Sequence, residues 1–268
     1  MKYKWKYYNH AMIPDSAPHE EPEVQALHEK AFWKSQKGIV CLARWTSQFD
    51  CENETQWWYI ILDHPFYLDN IKAKHRYQIK QGLKNFYVRQ IDFEMYKKDI
   101  LYILNFVRQQ EYKRRKIYDL PEPADNEIYL GAFTMDTGKL VGYATLIEHE
   151  EYIEFSVLKV LPEYEKKSIN AAIVYNCIMR YNEKLGEIYI TNGSRTINHQ
   201  TMFDDYLIRM FEFRKAYCKL FIKYRWWFKG IVMVLKPWKK MVNKSQGNIC
   251  RAISGILKME EIANAQKY

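Results

Sequence analysis

The chain has 268 residues, enough for one large domain with attachments or for two small ones. Hydrophobic residues make up 48% and aromatic residues 16%, which excludes a disordered chain. The 41 basic residues against 32 acidic leave +9, compatible with an anionic partner (a nucleotide cofactor, RNA or a membrane surface) and equally with a solubility role.

Five scattered cysteines, never in a CxxC pair, argue against a disulfide framework, and neither they nor the seven histidines show metal-ligand spacing. No metal is expected, and a reduced, cytoplasmic location follows. The N-terminal MKYKWKYYNHAMIPDSAP is basic but lacks the apolar stretch of a secretory signal. The most apolar late stretch, Trp226–Leu235, holds ten residues including Lys229, whereas a bilayer span needs about 20.

Residues 1–37 read as an N-terminal extension with a short helix over Glu23–Lys37. Gly38–Trp45 and Gln56–Asp63 are β-branched or aromatic runs bounded by polar turn residues, which predicts two strands. Asp69 or Asn70 is positioned to cap a basic helix, IKAKHRYQIKQG, with Ile71, His75, Ile79 and Leu83 on one stripe. Phe86–Ile91 alternates as a strand, and Phe93–Arg114 has the apolar periodicity of a longer helix. Together these make a segment over 38–118. The polar, proline-containing DLPEPADNE at Asp119–Glu127 marks the clearest boundary.

Beyond it, over 119–237, strands are expected at Ile128–Phe133, Leu140–Glu148 and Tyr152–Leu161, the first two joined by an Asp136–Gly138 turn. An amphipathic helix follows over Ser168–Leu185, with Gly186 at its C-terminal cap. Then come a strand at Ile188–Thr191, a helix at Thr201–Met210, and closing strands at Phe213–Lys223 and Ile231–Leu235. The fold class is α/β (α+β): a mixed, mostly antiparallel sheet flanked by helices. The basic tail, 238–268, contains an amphipathic stretch at Ile249–Ala263 that could pack on the domain or lie on an acidic membrane surface.

VLKVLPEYEKKSINAAIVY, Val157–Tyr175, runs a strand through a proline and a short basic loop into a helix. The free N–H groups and dipole at such a helix start suit a pyrophosphate, with Lys166 and Lys167 as counter-charges; an ordinary connection with solvated lysines is the alternative. This segment resembles the signature of the GCN5-related N-acetyltransferases (GNAT), in which a strand ending V-x-P leads to R/Q-x-x-G-x-G/A. On that alignment Glu165 stands at the basic or amide position, and Ser168 and Asn170 stand at the glycines. The resemblance implies that acyl-CoA (acetyl-CoA) is bound by Val160, Lys166, Lys167, Ser168, Ile169 and Asn170. MFEFRKAY, Met210–Tyr217, is similar to the family's E-K-x-G-F strand entry; it puts Ile208 where many members carry a tyrosine general acid, with Tyr206 two residues away.

NGSRTINHQTMFDDYL, Asn192–Leu207, gathers donors and a titratable base at a strand end, where open α/β sheets place ligands. Here His199 and Asp204 are candidate bases for an ammonium acceptor, with Glu154 on the preceding strand as another. Arg195 and Asn198 are candidate substrate contacts. Helix capping by Asn198 or Thr201, with Asp204 serving the first turn, explains the same residues structurally. Lys72–Asp92 resembles the basic helix-then-strand element of FemAB-like aminoacyl transferases, which implies that Lys74 and Arg76 contact the phosphates of a tRNA.

The resemblance, covering roughly 72–237, implies transfer of an acyl group to an amine or hydroxyl, either of a small molecule or of a cell-envelope precursor. A FemAB-like transferase using charged tRNA and a non-catalytic GNAT-like binding module remain the alternatives. DNA is not expected among the partners.

Overall fold

A computed structural model describes residues 4–110, 114–197, 202–238 and 248–265. In chain order its strands and helices are β1 (Trp5–Tyr8), β2 (Ala11–Pro14), β3 (Leu42–Ser47), β4 (Trp57–Leu62), α1 (Ala73–Asn85), β5 (Phe86–Ile91), α2 (Phe93–Gln110), β6 (Glu127–Thr134), β7 (Leu140–Glu148), β8 (Tyr152–Val160), α3 (Ile169–Met179), β9 (Tyr189–Ser194), α4 (Met202–Phe211), β10 (Arg214–Tyr224), α5 (Trp226–Leu235) and α6 (Asn248–Ala265). They form two compact units. The first takes Met1–Tyr59, Ser194–Thr201 and Lys215–Tyr268; the second takes Ile60–Gly193 and Met202–Arg214. The architecture is mixed α+β, with mostly antiparallel strands and flanking helices, as the sequence predicts.

In the second unit the strand order is β4-β9-β8-β7-β6-β5. Strands β5 to β8 pair antiparallel and β8 pairs β9 in parallel. Strand β7 is buried through Leu140–Leu146, the mark of a central strand covered on both faces. Gly142 lets it sit close to its neighbours: a Cβ there would lie 2.8 Å from Val160 Cγ1 and 3.1 Å from Ile169 Cδ1. Helix α2 buries Phe93, Ile100, Ile103 and Val107, and Asp92 Oδ1 caps it by accepting from the Met95 N–H at 2.7 Å.

Helix α3 is not amphipathic as the sequence suggests. Ile169, Ala171, Ala172, Ile173, Val174, Cys177 and Ile178 are all buried, because α1 packs on the side that would otherwise face water. Each large apolar side chain so buried contributes about 2 kcal/mol. The approach is close at Gly82, where a Cβ would come within 2.5 Å of Ser168 O and 3.0 Å of Ala172 N.

Helix α3 also ends at Met179, short of Leu185. Tyr181 donates to Glu148 Oε1 at 2.7 Å and Asn182 exchanges hydrogen bonds with the backbone of Phe66, which together redirect the chain into a 3-10 turn at Asn182–Lys184. Helix α1 begins after Lys72, with no side-chain cap; Asp69 instead accepts from Arg76 at 3.3 Å, so neither Asp69 nor Asn70 caps it.

In the first unit β1 and β2 form a hairpin over Asn9 and His10, both at positive φ (45° and 65°), a conformation Asn and His tolerate better than most residues. Strand β2 runs parallel to β3, and β3 antiparallel to β10. One apolar cluster gathers Trp5, Leu27, Phe32, Val40 and Ala43; another gathers Trp57, Cys218, Leu220, Met259 and Ile262.

Three predicted elements differ here. The Glu23–Lys37 helix is a 3-10 turn at Val24–His28 followed by further turns, because the Trp33 indole donates to Leu27 O at 3.2 Å and breaks the α pattern. The Gly38–Trp45 strand starts only at Leu42. Ile231–Leu235 is no strand but the last part of α5, whose ladder is already running when the Lys229 N–H bonds Arg225 O at 3.0 Å. Among the described residues no helix is long and apolar enough to cross a membrane. Cys177 in the second unit and Cys218 in the first are free thiols buried in their cores.

Candidate functional site

The β8–β9 pairing in the second unit stops early. Partners run from Tyr152↔Tyr189 to Glu154↔Thr191, while β8 continues to Val160 and β9 to Ser194. Past Glu154 the pairing of β8 with β9 does not continue among the described residues, and the two strands diverge. On its other edge β8 carries a bulge: Thr145 pairs with Val157 but Leu146 with Phe155, which leaves Ser156 as the extra residue. Bulges re-aim side chains and backbone next to binding sites. A cleft of about 280 Å³ opens at this place.

Its walls come from five elements and one turn. Strand β8 supplies Phe155, Ser156, Leu158, Lys159 and Val160; Asn192 comes from β9, Phe203 from α4 and Val107 from α2. Glu165, in the 3-10 turn Pro162–Lys167, and Asn170, in the first turn of α3, close the end where β8 runs out. Asn170 Oδ1 is buried without a hydrogen-bond partner. A buried acceptor in that state carries a desolvation penalty of about 1–3 kcal/mol, which a ligand donor would relieve.

The loop before α3 is fixed from α1. Ser168 adopts the left-handed conformation (φ 64°), its N–H donates to Glu165 O at 2.9 Å, and its Oγ donates to Gln81 Oε1 at 3.1 Å. Asn85 Nδ2 donates to Lys167 O at 3.3 Å. A position that a flexible glycine occupies in the GNAT signature is therefore held rigidly here by a serine.

Of the residues singled out in the sequence for a cofactor, Val160 and Asn170 line the cleft. Ile169 is buried in the core, so only its backbone can reach a ligand. Lys166 and Lys167 are exposed outside the lining, Lys167 with its ammonium 5.7 Å from the Tyr164 ring. Glu154 is the last residue of β8 paired with β9 and does not line the cleft; His149 Nε2 lies 4.0 Å from its carboxylate.

Asp204 accepts from Asn192 Nδ2 at 2.7 Å and so orients a cleft-lining amide. Tyr206 packs against Phe203 and Phe211, and burial pushes its phenol well above the ordinary tyrosine value. His199 and Asn198 lie outside the described residues. Arg195 belongs to the first unit, where it donates to Gln56 O at 2.6 Å and covers the Trp58 ring at 4.4 Å. Lys74 is exposed on α1, and Arg76 is engaged by Asp69.

Ser156, Lys159, Asn192 and Phe203 were not singled out by the sequence. Asn192 alone had a signal there, as the first residue of the polar run at the end of a strand.

No known family profile matches this chain, and no curated protein matches it in sequence. Solved structures do. The C-terminal domain of a candidate lysylphosphatidylglycerol synthetase from Agrobacterium fabrum superposes with a TM-score of 0.52 at 10% identity, covering 85% of this chain and 82% of that one. L-PGS from Bacillus licheniformis gives 0.47 at 13% identity over 86% and 83%. A tandem GNAT protein from the clavulanic acid biosynthesis pathway gives 0.41 at 12% over 80% and 75%. The chain shares the overall fold of that synthetase domain, a mixed, mostly antiparallel sheet flanked by helices.

Proposed function

From a GNAT-like fold whose β8 and β9 diverge as premise, we propose that this protein is an acyltransferase working in the β8/β9 cleft. It would move an acyl group from a thioester or ester to an amine or hydroxyl. The observation that carries this reading is the loss of β9 pairing after Glu154, opposite the Ser156 bulge. When the acceptor nitrogen or oxygen attacks the acyl carbon, the carbonyl oxygen takes on negative charge, and β8 N–H groups beyond the β9 ladder are the candidate donors for it. One such donor is worth about 3–4 kcal/mol of barrier. Glu154, Asp204 and His199 are the candidate proton acceptors for the attacking group. Tyr206, kept neutral by burial, is the candidate proton donor to the departing group.

Acyl-CoA is the donor we propose first, with its pyrophosphate at the start of α3 near Lys166 and Lys167. Titration calorimetry with CoA and acetyl-CoA tests it: the protein should bind both, and Lys166→Glu/Lys167→Glu should lose that binding.

Glu165 favours a second reading. A carboxylate on the cleft wall repels a pyrophosphate but suits the ammonium group of an aminoacyl ester, and the exposed Lys72, Lys74, Lys80 and Lys84 at and along α1 suit tRNA phosphates. That donor would show as salt-sensitive retention of charged tRNA in the absence of CoA binding. The acceptor would be a small molecule or a cell-envelope precursor met in the cytoplasm. Absence of transfer from either donor would leave a binding module and end the acyltransferase reading.

A further inference from the structure

Helix α5 presents apolar residues where a helix of a water-exposed surface carries polar ones. At 3.6 residues per turn, Trp226, Gly230, Met233 and Val234 share one face. Trp226 is 83%, Met233 64% and Val234 69% exposed, with Ile231 at the edge 44% exposed. Gly230 lies among them, and among the described residues nothing comes within 4 Å of a Cβ built on it. Val232 alone is buried. Single exposed apolar residues are ordinary; three on one face of a ten-residue helix, with a fourth at its edge, are not.

The sequence around this face carries charge of one sign. Residues 223–238 contain Lys223, Arg225, Lys229 and Lys236 and no acidic residue. Lys229 is exposed, and Lys229 and Lys236, two turns apart, form one flank of the apolar face; Lys236 also reaches Glu260 Oε1 at 3.3 Å. A helix of ten residues is about 15 Å long, half of a bilayer's hydrocarbon thickness, so it cannot span one but can lie along its surface.

We propose that α5 docks this protein on an anionic lipid bilayer, with Trp226, Met233 and Val234 entering the boundary between headgroups and acyl chains and Lys229 among the phosphates. A tryptophan, long apolar side chains and flanking lysines are the composition that this interface selects. A second copy of the chain fits less well. A two-fold contact would set the same cations against each other, and a few side chains on a 15 Å helix fall short of the about 800 Å² per partner of a stable interface.

Co-sedimentation of the full chain with vesicles of phosphatidylcholine, and of phosphatidylcholine mixed with phosphatidylglycerol, tests this. The protein should pellet with the anionic vesicles, less so as salt rises, and only weakly with the neutral ones. Trp226→Ser/Met233→Ser/Val234→Ser should reduce the bound fraction about tenfold. Lys229→Glu, which leaves the apolar face intact, should weaken binding to anionic vesicles alone. No pelleting of the wild type, equal pelleting with neutral vesicles, or variants that pellet like the wild type would each overturn the proposal. So would a wild-type dimer in light scattering that the triple variant converts to monomer without any vesicle binding.

Discussion

Asp63, at the end of β4, is pulled in two directions. Burial disfavours its charge, but Arg214 donates to it through Nε at 3.1 Å and through Nη2, and the net effect holds the carboxyl below the usual aspartate range. A carboxyl depressed in the folded state stabilises the fold above its unfolded value, and that stability is lost as pH falls through the folded one. The side chains are 31% and 40% exposed, so solvent screening limits the gain to about 1 kcal/mol. Asp63→Asn should therefore lower stability to urea by about that amount at neutral pH, and the gap to wild type should close in acid. An equal gap at both pH values would mean that packing, not charge, is what the substitution removes.

At the scale of elements, the contact of α1 with the loop before α3 is the most constrained. The nearest atoms to a Cβ on Gly82 are backbone atoms of Ser168 and Ala172, which cannot rotate away. Gly82→Ala should cost about 2 kcal/mol in thermal or chemical unfolding, the scale of overpacking in a close-packed core. It should also shift the backbone amide resonances of Ser168–Asn170, because the helix must back off from the loop. Unchanged stability would show that α1 is not seated as described.

Strands β5 to β8 were legible from the sequence because each is a short apolar run closed by turn residues such as Asp136–Gly138 and Pro162. Helix α5 was not, because IVMVL carries the β-branched composition of a strand and only the preceding Trp226–Gly230 ladder decides otherwise. The cleft was half legible. Val160 and Asn170 follow from a local strand–loop–helix pattern, whereas Asn192, Phe203 and Ser156 meet only because β9 leaves β8 after Glu154 and β8 bulges against β7. Neither event has a periodicity of its own in the sequence.

For the whole molecule, each unit holds a buried thiol. Cys177 lies in α3 of the second unit, where burial pushes its thiol far up; Cys218 lies in β10 of the first, where burial, with a minor contribution from Cys51, pushes its thiol up to about 12. Such groups are almost wholly un-ionised at neutral pH and shielded from reagents, so they react only when their surroundings open. The chain thus carries one clock per unit. Brief exposure to an alkylating reagent, followed by mass spectrometry of the peptides, should yield a separate opening rate for each. Equal rates would mean that both units open in one event; a faster Cys218 would mean that the unit bearing α5 loosens while the core around Cys177 stays closed.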